Sequence, residues 1–261
     1  HKNLYVYSIQ SIIIFLFVLV SIFVLGIFDD KYFLHPLKKF LSLIFLITIM
    51  CLNDTTTLIN YFKFPINDLT ISFNQLSLIF SVSCYVFLII SLNMFDGINL
   101  QSFVFYFLNF LFLLINGDFS MPLLIIPLIS LLVFAYFNHK NLAFLGDNGS
   151  YILALILGYL LVKFHNYSDS YNSIDIVNFL FLPIIDSIRV IIERQIKNKA
   201  IFLPDNSHLH HILLKKFKYR KSIIILTAVI LFPHILYQLN LNSLVIFLIQ
   251  LFVYFYILKK K

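Results

Sequence analysis

The chain has 261 residues, of which 61% are hydrophobic, 18% aromatic and only 12% charged, with a formal net charge of +7. A soluble domain is about 45–50% apolar and about 25% charged, so a soluble globular fold is excluded. Apolar runs near the 20 residues needed to cross about 30 Å of hydrocarbon recur along the chain, and predict an all-α polytopic membrane bundle.

Nine spans can be drawn in chain order, at about 4–28, 38–53, 75–95, 101–116, 119–137, 151–167, 174–192, 222–238 and 242–258. The first opens almost directly from His1, without the charged region or small-residue cleavage site of a signal peptide. The expectation is a single integral membrane domain over residues 1–261 that has lost N-terminal sequence. Between the second and third spans, the stretch from Thr55 to Ile71 carries Thr, Tyr and Phe around Pro65 and predicts a short hairpin. Cys51 and Cys84 lie within apolar runs and lack metal-like spacing, so both read as packing residues.

Lysine and arginine orient the bundle. If the connection after the first span is cytoplasmic, 16 of the 19 basic residues fall on the inner side, leaving Lys2, Lys63 and Lys163 outside. The positive charge therefore lines one membrane face, which suits lipid headgroups and phosphate substrates rather than nucleic acid.

Four polar segments interrupt the apolar pattern, and this topology places all of them on the cytoplasmic side. They are Gly26-Ile-Phe-Asp-Asp30, Asn93-Met-Phe-Asp-Gly-Ile-Asn-Leu100, Phe144-Leu-Gly-Asp-Asn-Gly-Ser150, and the stretch from Pro183 through Asp186, Arg189 and Arg194 to Pro204-Asp-Asn-Ser-His-Leu-His-His211. Taken singly, an Asp pair is a solvated helix end and Asp-Gly a turn. Together they form a narrow chemistry. Asp29, Asp30, Asp96 and Asp147 are hard oxygen donors suited to Mg²⁺ or Mn²⁺. His208, His210 and His211, beside Arg194 and Lys199, make a cationic patch for phosphate oxygens. Metal on one side and cations on the other is what phosphoryl transfer uses. A transporter is the rival class, but it would place ionisable residues at mid-membrane, whereas here only Asp186 and Arg189 lie inside a span, one turn apart.

In order and combination these segments resemble the polyprenyl-phosphate N-acetylhexosamine-1-phosphate transferases of glycosyltransferase family 4. The resemblance covers about residues 22–214, and the loop from Pro183 to His211 is similar to the WecA/TagO branch. It implies transfer of a sugar-1-phosphate from a UDP-sugar to undecaprenyl phosphate, with release of UMP, at the cytoplasmic face of the bacterial inner membrane. That step would open synthesis of a cell-envelope polysaccharide. It implies Mg²⁺ or Mn²⁺ on Asp147, with Asp29 and Asp30 orienting the lipid phosphate. Asn93 and Asp96 would serve the nucleotide end, Asn99 would bind substrate, and Arg194, His208, His210 and His211 would hold the diphosphate. Membrane lipid is the expected surrounding partner, with a homodimer left open. Where the family often has Asp-Gly-x-Asp-Gly, this chain has Asn99-Leu100, which keeps hydrogen bonding and removes a charge.

Overall fold

The computed structural model describes residues 8–66, 69–116, 121–167, 171–200 and 206–259. Among these described residues eleven α-helices follow one another: α1 (Ile9–Tyr32), α2 (Pro36–Asn53), α3 (Ser77–Phe95), α4 (Gln101–Asn116), α5 (Met121–His139), α6 (Gly146–Tyr167), α7 (Ser173–Phe179), α8 (Phe181–Ile196), α9 (Leu209–Lys216), α10 (Tyr219–Gln238) and α11 (Ser243–Lys259). Five of them, α1, α2, α3, α6 and α10, are long and apolar enough to cross a membrane by length and composition. Three more, within α4, α5 and α11, are apolar and shorter. The chain is a polytopic, all-α membrane protein.

The helix α8 reverses the burial pattern of a soluble amphipathic helix. On α8 the inward face carries Asp186, Ser187, Val190 and Arg194, while Ile188, Ile192 and Ile196 are exposed. Hydrocarbon solvates isoleucine as well as a protein core does, whereas polar side chains must find partners inside. The most deeply buried span is α6, which packs against α1, α3 and α4. Close approach of α1 to α6 depends on Gly26, because a Cβ there would lie 2.7 Å from the side chain of Asn148. That contact places the last turn of α1 beside the first turn of α6.

The predicted seventh span is broken. Leu180 separates α7 from α8, and the reason is local. Pro183 has no N–H to offer the carbonyl of Phe179, so the helical ladder loses a bond one turn before the proline. The predicted hairpin is present as strands β1 (Tyr61–Lys63) and β2 (Thr70–Ser72), antiparallel with Phe62 opposite Ile71.

Polar contacts bolt this hairpin and the end of α2 onto α6 and α7. Lys163 of α6 pairs with Asp54 at 3.2 Å and also bonds Thr56. Asn166 donates to the carbonyls of Thr56 and Leu58, and the Ser173 hydroxyl accepts from the Lys63 backbone N–H. Both members of the Lys163–Asp54 pair are buried. Breaking a buried pair from one side leaves an uncompensated charge, which costs about 3–5 kcal/mol. Lys163→Met should therefore lower the unfolding midpoint in a detergent titration strongly, and Lys163→Met with Asp54→Leu should recover most of the loss. A single variant as stable as the parent would show that the pair contributes little.

Candidate functional site

The first half of the site forms where α1, α2, α3 and α6 meet. Asp29 sits in the last turn of α1 and is buried. Phe33 ends the helix in the left-handed region, φ 48°, and its N–H bonds the Asp29 carbonyl. The carboxylate of Asp29 accepts from the backbone N–H of Leu34 at 2.9 Å. The chain then re-enters α2 through His35-Pro36, with proline at the first helical position. One turn later Lys39 bridges two acids. Its ammonium pairs with Asp29 and with Asp147 Oδ2, the latter at 3.0 Å.

Asp147 lies in the first turn of α6, where the helix dipole favours a carboxylate. Its other oxygen accepts from the Asn93 amide at 2.9 Å, and Asn93 also donates to the Ser150 hydroxyl. Asp96 caps the C-terminus of α3 and accepts from Ser102 Oγ at 2.6 Å. Burial pushes the Asp96 carboxyl above the usual range, only partly offset by the Ser102 bond, and the nearby Asp147 adds to the rise.

The second half is the helix α9, hung from a single carboxylate. Asp186 of α8 receives His208 Nδ1–H at 2.9 Å, the Leu209 N–H at 3.2 Å, Arg189 Nη2 at 2.8 Å and the Tyr254 hydroxyl at 2.8 Å. It thus satisfies an orphan N–H at the start of α9 and fixes the His208 ring. His210 stacks parallel to His208, with centroids 5.6 Å apart, and His211 follows at 4.3 Å from His210. His210 reaches the α3–α4 connection, where its ring lies against Gly97 so closely that a Cβ there would collide. Burial and the neighbouring His211 and His208 push the His210 imidazole down to about 3. His210 is a neutral wedge at pH 7 and does not supply the cationic character expected of it.

The two halves enclose a cavity of about 330 Å³ lined by Lys39, Asn93, Asp96, Asp147, Arg194, His208, His210 and His211, among others. Seven of the ten residues singled out in the sequence therefore share one cavity. Asp29 adjoins it through Lys39. Asp30 belongs to α1, but its side chain lies outside the described residues, as does the Pro204-Asp205 segment. Asn99 does not line the cavity. Its amide donates to Asn141 at 2.6 Å and its carbonyl accepts from Tyr219, so it ties the α3–α4 and α5–α6 connections to α10. Sequence reasoning missed Lys39, which entered only as a topology charge, and Tyr151, another lining residue. The usable signal for Lys39 was its place just inside the helix that follows Asp29-Asp30.

The donor set fits a hard divalent cation. Asp29 and Asp147 converge on one positive charge, that of Lys39, and offer only oxygen. Among the described residues no three His, Cys, Asp or Glu side chains form a ready-made cage. Mg²⁺ suits such a place, since it is usually held by one or two carboxylates together with water and substrate phosphates.

Comparison with known proteins identifies a family for the chain. Residues 12–165 match the family model for glycosyl transferase family 4. The undecaprenyl-phosphate alpha-N-acetylglucosaminyl 1-phosphate transferase of Haemophilus influenzae is 28% identical over 101 residues, covering 38% of this chain and 28% of that protein. A probable undecaprenyl-phosphate N-acetylglucosaminyl 1-phosphate transferase of Bacillus subtilis is 27% identical over 200 residues, 74% of this chain and 55% of that protein. The chain thus spans between about a quarter and just over half the length of these relatives.

The neutral His210 gives a pH expectation. Its folded value of about 3 lies below the ordinary 6.5, so the unfolded chain binds a proton that the folded one does not. Stability should fall as pH drops from about 6.5 towards 3. Melting of His210→Gln should show a shallower acid slope over that window, and an unchanged slope would remove His210 as a contributor.

Proposed function

The chain belongs to glycosyl transferase family 4, and from that premise we propose that it transfers an N-acetylhexosamine-1-phosphate from a UDP-sugar to undecaprenyl phosphate, releasing UMP. The observation that carries this reading is the one cavity in which Asp96, Asp147 and Lys39 from α2, α3 and α6 confront Arg194, His208 and His211 from α8 and α9. The names of the relatives make N-acetylglucosamine the first hexosamine to test. The lysine and arginine asymmetry supports a cytoplasmic orientation of this face in a bacterial inner membrane.

In the proposed reaction an oxygen of the lipid phosphate attacks the β-phosphorus of the UDP-sugar. The bond from that phosphorus to the bridging oxygen breaks, its electron pair leaves with UMP, and a pyrophosphate joins sugar and lipid. Mg²⁺ or Mn²⁺, held by Asp147 with Asp29 beside it, would neutralise charge on the diphosphate. Lys39 supplies a fixed positive charge between these carboxylates, and with Asp29 and Asp30 it orients the lipid phosphate. Arg194 and His211 grip the diphosphate, while His208, whose Nδ1 is engaged by Asp186, offers Nε2. Asn93 holds Asp147 in place and, with Asp96, serves the nucleotide end. Asn99 contributes through the connection it braces. At pH 7 the lipid phosphate already carries most of its charge, so positioning rather than deprotonation is the work required.

Full-length protein in lipid, incubated with undecaprenyl phosphate and a panel of radiolabelled UDP-sugars, tests the assignment. One UDP-N-acetylhexosamine should give a lipid-linked product and UMP in equal amounts, and no product with any donor would overturn it. Chelator should abolish turnover and Mg²⁺ or Mn²⁺ restore it. Asp147→Asn should cost on the order of a hundredfold or more in rate, because it removes the charge that would hold the cation. His211→Ala should instead weaken UDP-sugar binding by at least about tenfold, the worth of a hydrogen bond to a charged group. Calorimetry showing unchanged affinity in His211→Ala would take that residue out of the diphosphate site.

A further inference from the structure

A second polar cleft, of about 540 Å³, opens between the end of α8 and α9. Its lining joins the end of α8, the turn that follows it, Asn206 and Ser207 before α9, Lys215 on α9 and Leu258 on α11. Among the described lining residues five are cationic, Arg189, Arg194, Lys197, Lys199 and Lys215, and one is acidic, Glu193. That carboxylate is already engaged, by Arg189 Nη1 at 2.6 Å and Lys197 at 3.9 Å. Arg189 is in turn committed inward, to Asp186, Tyr254 and the Ser207 carbonyl. The outward charge of the cleft is carried by Lys197, Lys199 and Lys215, all exposed.

We propose that this cleft is a headgroup site for an anionic phospholipid, distinct from the cavity that His208, His210 and His211 line. The ligand chemistry is a phosphodiester, for which clustered lysines are point-charge partners. Its level in the molecule selects a lipid over a free anion. Lys216 closes the end of α11 by donating to the carbonyls of Ile257 and Leu258 at 2.9 and 3.0 Å. The same end of α11 exposes Phe252, Phe255 and Tyr256, and the end of α8 exposes Ile192 and Ile196. The lysines therefore share helix ends with exposed apolar side chains, and the cleft itself includes Ile212 and Leu258, an arrangement that matches a phosphate joined to glycerol and acyl chains. A soluble phosphate would use the lysines and leave Ile196 facing water. Arg194 lines both this cleft and the larger site, so the occupant would stabilise the helix end that presents Arg194. The proposal does not depend on the reaction assigned above.

The test uses the full chain in phosphatidylcholine nanodiscs containing a small fraction of phosphatidylglycerol, with retained phosphatidylglycerol counted by native mass spectrometry. Lys197→Gln/Lys215→Gln should cut retention by at least about fivefold, since one lysine near an anionic headgroup is worth about 1 kcal/mol. Lys199→Gln, an independent variant in the turn after α8, should lower it in the same direction. Lys140→Gln/Lys221→Gln removes the same charge from other helix ends and should leave retention within about twofold of the parent. Equal losses in the two double variants would mean bulk surface attraction and overturn the site. Displacement of the lipid by millimolar inorganic phosphate or glycerol phosphate would assign the cleft to a soluble anion and overturn the lipid reading.

Discussion

A charge carried into a membrane bundle must bring its partner with it, because hydrocarbon offers none. Three such partnerships organise this protein. Lys163 meets Asp54, Arg189 meets Asp186, and Lys39 meets both Asp29 and Asp147. The first and third join residues more than a hundred positions apart in sequence. These two fix which helices are neighbours in a way that lipid-facing isoleucines and phenylalanines do not, since apolar surface is nearly as well solvated by lipid as by another helix. The Gly26–Asn148 contact then brings the ends of α1 and α6 close enough for Lys39 to reach both acids.

Asp186 extends the same logic to a segment with no apolar run of its own. The eight residues of α9 bury Leu209, His210 and Leu213, too little to anchor a helix by hydrophobicity alone. The His208 ring and the Leu209 N–H on Asp186, together with Lys216 on the carbonyls of Ile257 and Leu258, do so instead, while Arg189 of α8 and Tyr254 of α11 complete the set on the carboxylate. From there His210 wedges onto Gly97, which ties α9 to the α3–α4 connection carrying Asp96. The distance between the acidic and basic walls of the cavity is thus set by buried, charge-neutral packing of one imidazole, while the charges that face a ligand stand on either side of it.

Much of the fold was legible because a membrane helix announces itself by length and apolarity. The boundaries of α4, near 101–116, and of α11, near 242–258, came within a residue or so of those observed. The break at Leu180 was hidden in a continuous apolar run and needed Pro183 to be weighed against it. The gathering of Asn93, Asp96, Asp147 and the histidines was readable because topology puts alternate connections on one face. What was not readable is side-chain direction. Asn99 stands three residues from Asp96 yet turns to Asn141, and Lys39 looks in sequence like any other lysine at a membrane interface. Nor does a His-x-His-His string reveal that its middle ring is buried and neutral and wedged against Gly97.

The two ends of the bundle use the same residue types to different effect. At the hairpin end Lys163 contacts Asp54 and Thr56 directly, Asn166 closes on two carbonyls, and His165 bonds Ser173, so polar groups are spent on one another. At the motif end the acids and the histidines stand on opposite walls of a cavity of about 330 Å³. There Asp147 is held by Lys39 and Asn93, Asp96 by Ser102 and His208 by Asp186, so each charged group is anchored within its own wall and the volume between stays open. The closed network at one end and the open one at the other therefore divide the labour: the hairpin clamp holds the helices in register, and that fixed register keeps the opposed walls of the cavity apart.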